Sequence, residues 1–334
     1  MNPAAAAKIA MLASRLEEAG ESLVVDADTH ISDLESLSET ERRRHDADAG
    51  YYHGRPVSAE ELIREMDLAR VDMALVWQNP ASTVYTGDPA RNTEALLAAN
   101  RYVCRAAERY PARLIPAGWV DPRACGVENT LRLVETLVAE FGFFMVKLNP
   151  AQNRFMMDSP EALAVVDRIV ELGAVPAFHF GADTPYTPAG ALRAVAERHP
   201  DRPVVAVHMG GGGAGYLEAE QLYGEARALG LERPNIRYVL SAKRDAHMES
   251  DLLAYQAAGE PFRRHLFCAS DAPYGRMAWN FGGFRALLRS LEEARPELFG
   301  EGGGPGLAAS NYLGGNFARF AAESCRRLLD GVCR

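Results

Sequence analysis

Short apolar runs recur along the chain, and each one ends in polar, glycine or proline residues before a helical pattern begins. Runs of this length, rich in Val, Ile, Leu and Phe, are typical of buried β-strands. The eight predicted strands are LVVDAD (23–28), DMALVW (72–77), RLIPAGWV (113–120), FFMVKL (143–148), AVPAFHF (174–180), PVVAVHM (203–209), IRYVLS (236–241) and HLFCAS (265–270). From the third strand onward the starts lie 29 to 33 residues apart, which is the length of one strand–loop–helix–loop unit.

Helical signals fill the segments between these strands. In SPEALAVVDRIVELG, Ser159 is a suitable N-cap, Pro160 takes the first helical position and Gly173 follows the end. TPAGALRAVAERHP repeats the arrangement, with Thr187 and Pro188 at its start. Eight strands that alternate with crossover helices predict a (β/α)8 TIM barrel. An open doubly wound sheet is the competing architecture, but no switch point is evident in the pattern.

The remaining segments set the predicted domain organisation. Residues 1–22 have apolar positions at helical spacing interrupted by charges, which predicts an amphipathic helix rather than a signal peptide. Residues 23–330 are predicted to form a single barrel. Residues 31–60 form a long polar excursion after the first strand, as expected of a lid or flap. The glycine-rich stretch at 301–306 predicts a flexible connector before the last helix.

Composition and charge narrow the function classes. The formal charge is -9, from 36 basic and 45 acidic residues, so a nucleic-acid or anionic membrane surface is disfavoured. No apolar run approaches the length that a membrane span needs. The five cysteines form no CxxC pair, which argues against a disulfide framework or a cysteine zinc site. We therefore expect a protein of the reducing cytoplasm.

Acidic residues and a histidine alternate along the first strand. Side chains in a strand alternate between faces, so Asp26, Asp28 and His30 are expected on the same side. Burying two carboxylates and an imidazole is costly unless something compensates them, and a bound cation would do so. The alternative is structural: Asp26 would cap neighbouring backbone groups and His30 would be a hydrogen-bonded core residue.

Three further polar residues favour the metal interpretation. His179 and His208 lie near the ends of their strands, and Asp271 directly follows the last one. In a parallel barrel the carboxyl ends of all strands meet at one face, where active sites form. Histidines and carboxylates at that face suit one divalent ion, with Zn²⁺ preferred and Mn²⁺ as the alternative.

Other residues at predicted strand ends are candidates for substrate binding, although ordinary loop residues occupy the same positions. The cationic ones could clamp a carboxylate. These candidates are Trp77, Gln78, Lys147, Asn149, Arg244, Tyr274 and Arg276.

A glycine pattern after the sixth strand imitates a nucleotide-binding fingerprint. Gly210, Gly212 and Gly215 form GxGxxG between a predicted strand and helix. The acidic residue expected at the end of the next strand is missing, and the unit is sixth along the chain rather than first. No dinucleotide cofactor is therefore predicted.

The segments VVDADTH, FHFG, VHMGGG and CASDAPYG, in this order, resemble the amidohydrolase superfamily. The likeness points to the amidohydrolase-related branch that includes aminocarboxymuconate-semialdehyde decarboxylase, and it spans roughly residues 23 to 320. The resemblance implies a metal-dependent barrel, with His208 orienting or deprotonating a metal-bound water. The metal ligands that it implies are Asp28, His30, His179 and Asp271.

Two details refine what the resemblance implies. Lys147 lies in FMVKLNP, which is similar to a pattern of the mononuclear branch. We therefore expect it to be a pocket or structural residue rather than a carbamylated bridge between two metals. The DxH of the first strand replaces the HxH of much of the superfamily, and this resembles several non-oxidative decarboxylases.

The expected function is that of a metal-dependent hydrolase acting on a small polar, carboxylate-bearing molecule. Asp271 would move the proton of the attacking water, and His208 would hold or polarise the attacked group. The alternative is a metal-dependent non-oxidative decarboxylase, in which Asp271 protonates the carbon as carbon dioxide leaves. A non-catalytic metal-binding barrel is less favoured, because all the matching residues are present. The expected partner is a small-molecule substrate, without nucleic acid or membrane, and a homo-oligomer is compatible with the N-terminal helix.

Overall fold

The computed structural model of the protein describes residues 1–47, 53–181, 185–211, 220–243, 245–299 and 307–332. Every predicted strand run overlaps a strand of the structure. Over the described residues the strands are β1 (Val25–Ile31), β2 (Met73–Gln78), β3 (Leu114–Pro116), β4 (Gly118–Val120), β5 (Met145–Leu148), β6 (Val175–His179), β7 (Val204–Val207), β8 (Ile236–Val239) and β9 (Leu266–Phe267).

All the strand pairs are parallel and follow chain order, β1-β2-β3 in one sheet and β4 to β9 in the other. The third predicted strand is divided into β3 and β4 at Ala117, whose N–H donates to the Val76 carbonyl at 3.1 Å. The ring closes where the His30 N–H donates to the Ala272 carbonyl at 2.7 Å. The predicted (β/α)8 barrel is therefore confirmed.

Helices connect the strands on the outside of this barrel. None of the described helices is long and apolar enough to cross a membrane. Over the described residues the helices are α1 (Pro3–Ala19), α2 (Glu39–Asp46), α3 (Ala59–Ala69), α4 (Pro89–Arg109), α5 (Pro122–Cys125), α6 (Val127–Ala139), α7 (Pro150–Asn153), α8 (Pro160–Glu171), α9 (Ala189–Arg198), α10 (Glu220–Glu232), α11 (Asp245–Ala258), α12 (Met277–Ala294), α13 (Pro296–Phe299), α14 (Leu307–Ser310) and α15 (Asn316–Val332).

Local capping explains where several helices begin. The Ser159 hydroxyl accepts from the backbone of Ala162 at 3.2 Å, so α8 starts at Pro160 as predicted. Helix α9 differs from its prediction, because Thr187 donates to the Gly181 carbonyl at 3.1 Å instead of capping the helix. Pro188 occupies the N-cap position there.

The segments outside the repeating units have structure of their own. Helix α1 packs against the C-terminal helix α15. The polar excursion at 31–60 contains α2. Near its end, Ser58 forms a capping box with Glu61 at the start of α3. Residues 48–52 of that excursion and the glycine connector at 301–306 lie outside the described residues.

Gly314 tests how tightly the chain packs beside the first strand. It lies in a π-helical turn, where an added Cβ would be 1.9 Å from the Leu23 carbonyl oxygen. Gly314→Ala is therefore expected to lower the free energy of unfolding by about 1–3 kcal/mol in urea denaturation. Gly282→Ala is the control: a Cβ on Gly282 of α12 meets no atom within 4 Å, and it should stabilise by ~0.5–1 kcal/mol. Similar effects of both changes would contradict this packing.

His265 lies buried just before β9, and neither of its ring nitrogens has a hydrogen-bond partner among the residues that the structure describes. Burial lowers its pKa to about 3, with a smaller contribution from the nearby Arg237. An unfolded histidine binds a proton near its ordinary pKa of about 6.5, so the native state loses stability as the pH falls below that value. The difference in free energy of unfolding between His265→Phe and the wild type should be larger at pH 5 than at pH 7 by about 2 kcal/mol, in favour of the variant. Free energies of unfolding that change equally with pH in the variant and the wild type, measured by urea denaturation, would refute this.

Candidate metal centre and active site

The carboxylate of Asp28, in the middle of β1, is fully buried. Its Oδ1 accepts hydrogen bonds from the Trp77 indole and the Lys147 ammonium, both at 3.0 Å. Its Oδ2 accepts one from the Ser241 hydroxyl at 2.9 Å. Burial alone would raise the pKa of Asp28, but attraction to the Lys147 ammonium, with contributions from the imidazole rings of His30 and His208, outweighs it. The pKa of this carboxyl is therefore held well below its usual range, and the group is ionised.

His30 follows on the same strand, and its hydrogen bonding defines its tautomer. Its Nδ1 lies 3.0 Å from the Gln78 carbonyl oxygen, which can only accept, so Nδ1 carries the proton. The Nε2 lone pair is left to bind a ligand. That nitrogen lies 3.8 Å from Oδ1 of Asp28 and 3.4 Å from Oδ1 of Asp271. A backbone acceptor that orients a ligating imidazole is common in metal sites.

Asp271 completes a cluster that fits a divalent ion. Its backbone has a φ of +58°, and its N–H donates to the Asp28 carbonyl at 3.0 Å, so the last strand brings it to the first. One ligand atom each from Asp28, His30 and Asp271 lies within 4.8 Å of the others. Two carboxylates and a correctly oriented imidazole are a suitable donor set for Zn²⁺ or Mn²⁺. The residues present therefore fit the predicted metal.

His208 is linked to the same carboxylate through Ser241. The Ser241 hydroxyl donates to Asp28, so its oxygen accepts from the Nδ1–H of His208 at 2.8 Å. Burial lowers the pKa of His208 to about 4, despite nearby carboxylates that raise it. Near neutral pH the ring is therefore uncharged, with its lone pair on Nε2.

His179 lies beside His208, with the two ring centroids 4.6 Å apart. It lines the same cavity, although it is not among the three groups that cluster within 4.8 Å. Its role as a metal ligand stays a prediction.

Lys147 is buried between two tryptophans. Its Nζ lies 5.2 Å from the ring centroids of both Trp77 and Trp119, as well as 3.0 Å from Asp28. Cation–π contacts and a carboxylate partner are the surroundings of an ammonium group. A carbamate would place a second negative charge against Asp28, so these contacts agree with the pocket or structural role predicted for Lys147.

These groups surround a cavity of about 700 Å³ at the carboxyl end of the barrel. Among the predicted site residues, those that line it are His30, Lys147, Asn149, His179, His208, Asp271 and Tyr274. The Tyr274 hydroxyl donates to the Asn79 side chain at 3.0 Å, and Asn149 caps α7 by accepting from the Gln152 backbone at 3.1 Å. Both side chains are therefore held in place at the cavity wall.

Other predicted site residues lie elsewhere. Within the described part of the chain, Trp77 does not line the cavity; it supports Asp28 and Lys147 from inside the wall. Arg276 does not line it either, because its guanidinium pairs with Glu65 of α3 at 2.9 Å. Arg244 lies outside the described residues.

Asp26, the other acidic residue of the first strand, has the structural role of binding neighbouring backbone groups. Asp26 is buried and accepts from the backbone N–H of Ser270 at 3.0 Å and from the Ser270 hydroxyl. Burial raises its pKa to about 8. The strand has a register irregularity between Asp26 and Thr29, and Asp26 joins β1 to the segment after β9 instead of joining the metal cluster.

Sequence reasoning missed Ser241, Trp119 and His53, as well as other residues that line the cavity. Ser241 joins His208 to Asp28, Trp119 packs against Lys147, and His53 of the polar excursion lines the cavity. The positions of Ser241 and Trp119 at predicted strand ends were the available signal. His53 had no such signal, because it comes from a loop whose path only the fold defines.

Solved structures share this architecture at low sequence identity. A 2,6-dihydroxybenzoate decarboxylase from Rhizobium is 14% identical with a TM-score of 0.61, covering 92% of this chain and 99% of that chain. A 5-carboxyvanillate decarboxylase from Novosphingobium aromaticivorans, complexed with manganese and 4-hydroxy-3-methoxy-5-nitrobenzoic acid, is 16% identical with a TM-score of 0.58, covering 79% and 90%. A 4-oxalomesaconate hydratase from Rhodopseudomonas palustris is 15% identical with a TM-score of 0.56, covering 93% and 99%.

At these identities the similarity establishes the fold. A search of curated protein sequences finds no match to this chain. The sequence model of a family described as Amidohydrolase matches residues 25–295, which is most of the chain. The protein therefore belongs to the amidohydrolase superfamily of enzymes, as the order of its strand-end motifs indicated.

Proposed function

We propose that this enzyme is a metal-dependent decarboxylase of a small, flat, unsaturated carboxylic acid that has an oxygen substituent next to its carboxylate. Hydrolysis was the first expectation from the sequence, with decarboxylation as its alternative. The DxH strand and the solved structures of similar fold, two of which are named as decarboxylases of aromatic acids, favour the alternative.

The composition of the cavity wall is the observation that carries this proposal. Trp119, Tyr186 and Tyr274 bring aromatic rings to a cavity whose polar groups are clustered around Asp271 and the histidines. Aromatic side chains pack favourably against a flat conjugated ring. The side-chain amides of the wall offer hydrogen bonds to the polar substituents of such a ring, and they belong to Asn149, Gln152 and Asn280.

Asp28, His30 and Asp271 would hold a divalent ion, with His179 proposed as a further ligand. When bound, the ion would supply Lewis-acid attraction for the substrate carboxylate and the oxygen beside it. A donor set with two carboxylates is compatible with Mn²⁺ as well as Zn²⁺, so both ions belong in the experiments.

The chemical step requires one proton. We assign it to the carboxyl group of Asp271, which would transfer its proton to the carbon that carries the carboxylate. The bond between that carbon and the carboxylate then breaks, its electron pair returns to the conjugated system, and neutral carbon dioxide leaves. Solvent returns a proton to Asp271 after the product departs.

The uncharged ring of His208 would orient the substrate. Because Ser241 accepts the Nδ1–H, Nε2 is the nitrogen that can accept a hydrogen bond from a substrate hydroxyl. Lys147 neutralises Asp28 within the wall, so the charge of that carboxylate does not repel an anionic substrate.

Carbon dioxide release tests the proposal directly. We expect the Mn²⁺- or Zn²⁺-loaded enzyme to release labelled carbon dioxide from a member of a panel of hydroxybenzoates and other unsaturated acids. Asp271→Asn should lower kcat by about 10²–10⁴-fold, because it removes the transferable proton. Asp67→Asn, a control on the surface where Asp67 pairs with Arg113, should retain activity. A product that incorporates solvent oxygen without carbon dioxide release would overturn decarboxylation and restore hydrolysis.

Metal content tests the ligand set independently of the substrate. The purified protein should bind one equivalent of Mn²⁺ or Zn²⁺ after treatment with a chelator and reconstitution. His30→Ala should weaken this binding by at least about tenfold, because it removes the nitrogen whose tautomer is preset. His199→Ala is the matched control, since His199 pairs with Asp167 at the surface. Equal metal affinity of both variants, measured by titration calorimetry and elemental analysis, would exclude His30 as a ligand.

A further inference from the structure

The turn after β7 holds His208 in a backbone conformation that few residues other than glycine adopt. The φ angle is +78° at His208, +43° at Met209 and +86° at Gly210. Left-handed residues with side chains carry conformational strain and persist only where their surroundings hold them. The position of the His208 ring therefore depends on contacts from other parts of the fold.

One of these contacts is made by a buried lysine. The N–H of His208 donates to the Val239 carbonyl at 2.9 Å, which ties the start of the turn to β8. The middle of the turn is contacted by a side chain: Nζ of Lys243 donates to the Met209 carbonyl oxygen at 3.1 Å. Lys243 lies outside the candidate metal cluster and does not line the cavity.

Lys243 is itself fixed by buried charges. Its side chain and that of Asp251 on α11 are both fully buried, and they form an ion pair. The other oxygen of Asp251 accepts from Nε of Arg227 on α10 at 2.7 Å. The Lys243 ammonium also lies 5.1 Å from the ring centroid of Tyr223. These contacts leave the ammonium little freedom to move away from the turn.

Lys243 also fixes the segment that contains Ser241. Ser241 accepts a hydrogen bond from His208 and donates one to Asp28. Ala242, which joins Ser241 to Lys243, has a φ of +52°. The segment packs directly on the turn, since a Cβ on Gly211 would lie 2.5 Å from the Ala242 carbonyl oxygen. The Lys243 side chain therefore restrains both partners of the hydrogen bond that sets the His208 tautomer.

We propose that Lys243 is a positioning residue for His208: by holding the Met209 carbonyl and the Ser241 segment together, it keeps His208 in its Nδ1–H tautomer with Nε2 available to substrate. The significance of this role for turnover rests on the proposed function. The tautomer itself does not, because it is a property of the protein without substrate.

The test separates positioning from stability. Lys243→Met removes the donor to Met209 and leaves the fully buried Asp251 carboxylate with the partly exposed Arg227 as its remaining ion-pair partner among the described residues. The double variant Lys243→Met/Asp251→Asn also removes this buried carboxylate, while Arg227 is exposed enough for water to solvate its charge, so it should regain much of the lost stability in urea denaturation. We expect both variants to lose the Nδ1–H tautomer of His208. The tautomer is read from the imidazole nitrogen signals in NMR, and the signals of His208 are those that disappear in His208→Gln. Gly314→Ala serves as a control that is destabilised at a distance and should keep the tautomer.

Kinetics add a second readout. With an active acid, both Lys243 variants should lose about 100-fold in kcat, with KM changed less than about twofold, because a small misplacement of a reacting group is enough for such a loss. A double variant that regains stability together with the wild-type tautomer would overturn the proposal and leave Lys243 a purely structural residue. If no acid is decarboxylated but the tautomer changes as expected, the proposed function fails while the positioning role stands.

Discussion

The buried carboxylate of Asp28 joins the barrel strands to the candidate chemistry. Donors from β2, β5 and the segment after β8 converge on its two oxygens, through Trp77, Lys147 and Ser241. Without these donors Asp28 would be an unpaired buried charge, and without Asp28 the Lys147 ammonium would be one. The carboxyl end of the barrel is therefore a single electrostatic unit, in which a change at one strand alters the charge balance of the others.

This unit also determines how the histidines are presented. The Gln78 carbonyl and the Ser241 hydroxyl oxygen each accept an Nδ1–H, so His30 and His208 both keep Nε2 as the free nitrogen. His208 and Asp271 have left-handed backbone conformations just after β7 and β9. The chain turns there instead of continuing as a strand, which brings both side chains to the site. Strain concentrated at such positions is a common property of functional sites.

The strand positions were predictable because buried parallel strands leave apolar runs in the sequence, and their spacing near 30 residues indicated a barrel. The predictions were less accurate where hydrogen bonds outside the local sequence decide. Ala117 interrupts the third strand, and Thr187 bonds to Gly181 rather than to its own helix. Strand alternation alone placed Asp26 with Asp28, but a register irregularity assigns Asp26 to the backbone beside Ser270.

By itself, the sequence determined the barrel through the spacing of its strand runs, and the superfamily through the order of its strand-end motifs. It also singled out the DxH motif and Asp271 at the two ends of the ring, because these residue types are costly to bury unpaired. The tertiary structure alone decided which neighbours each group has. It placed Arg276 against Glu65, Trp77 inside the wall, Ser241 between His208 and Asp28, and Lys243 under the turn of Met209. Pairings of this kind join residues far apart in the chain, and their distances exist only once the ring of strands has closed.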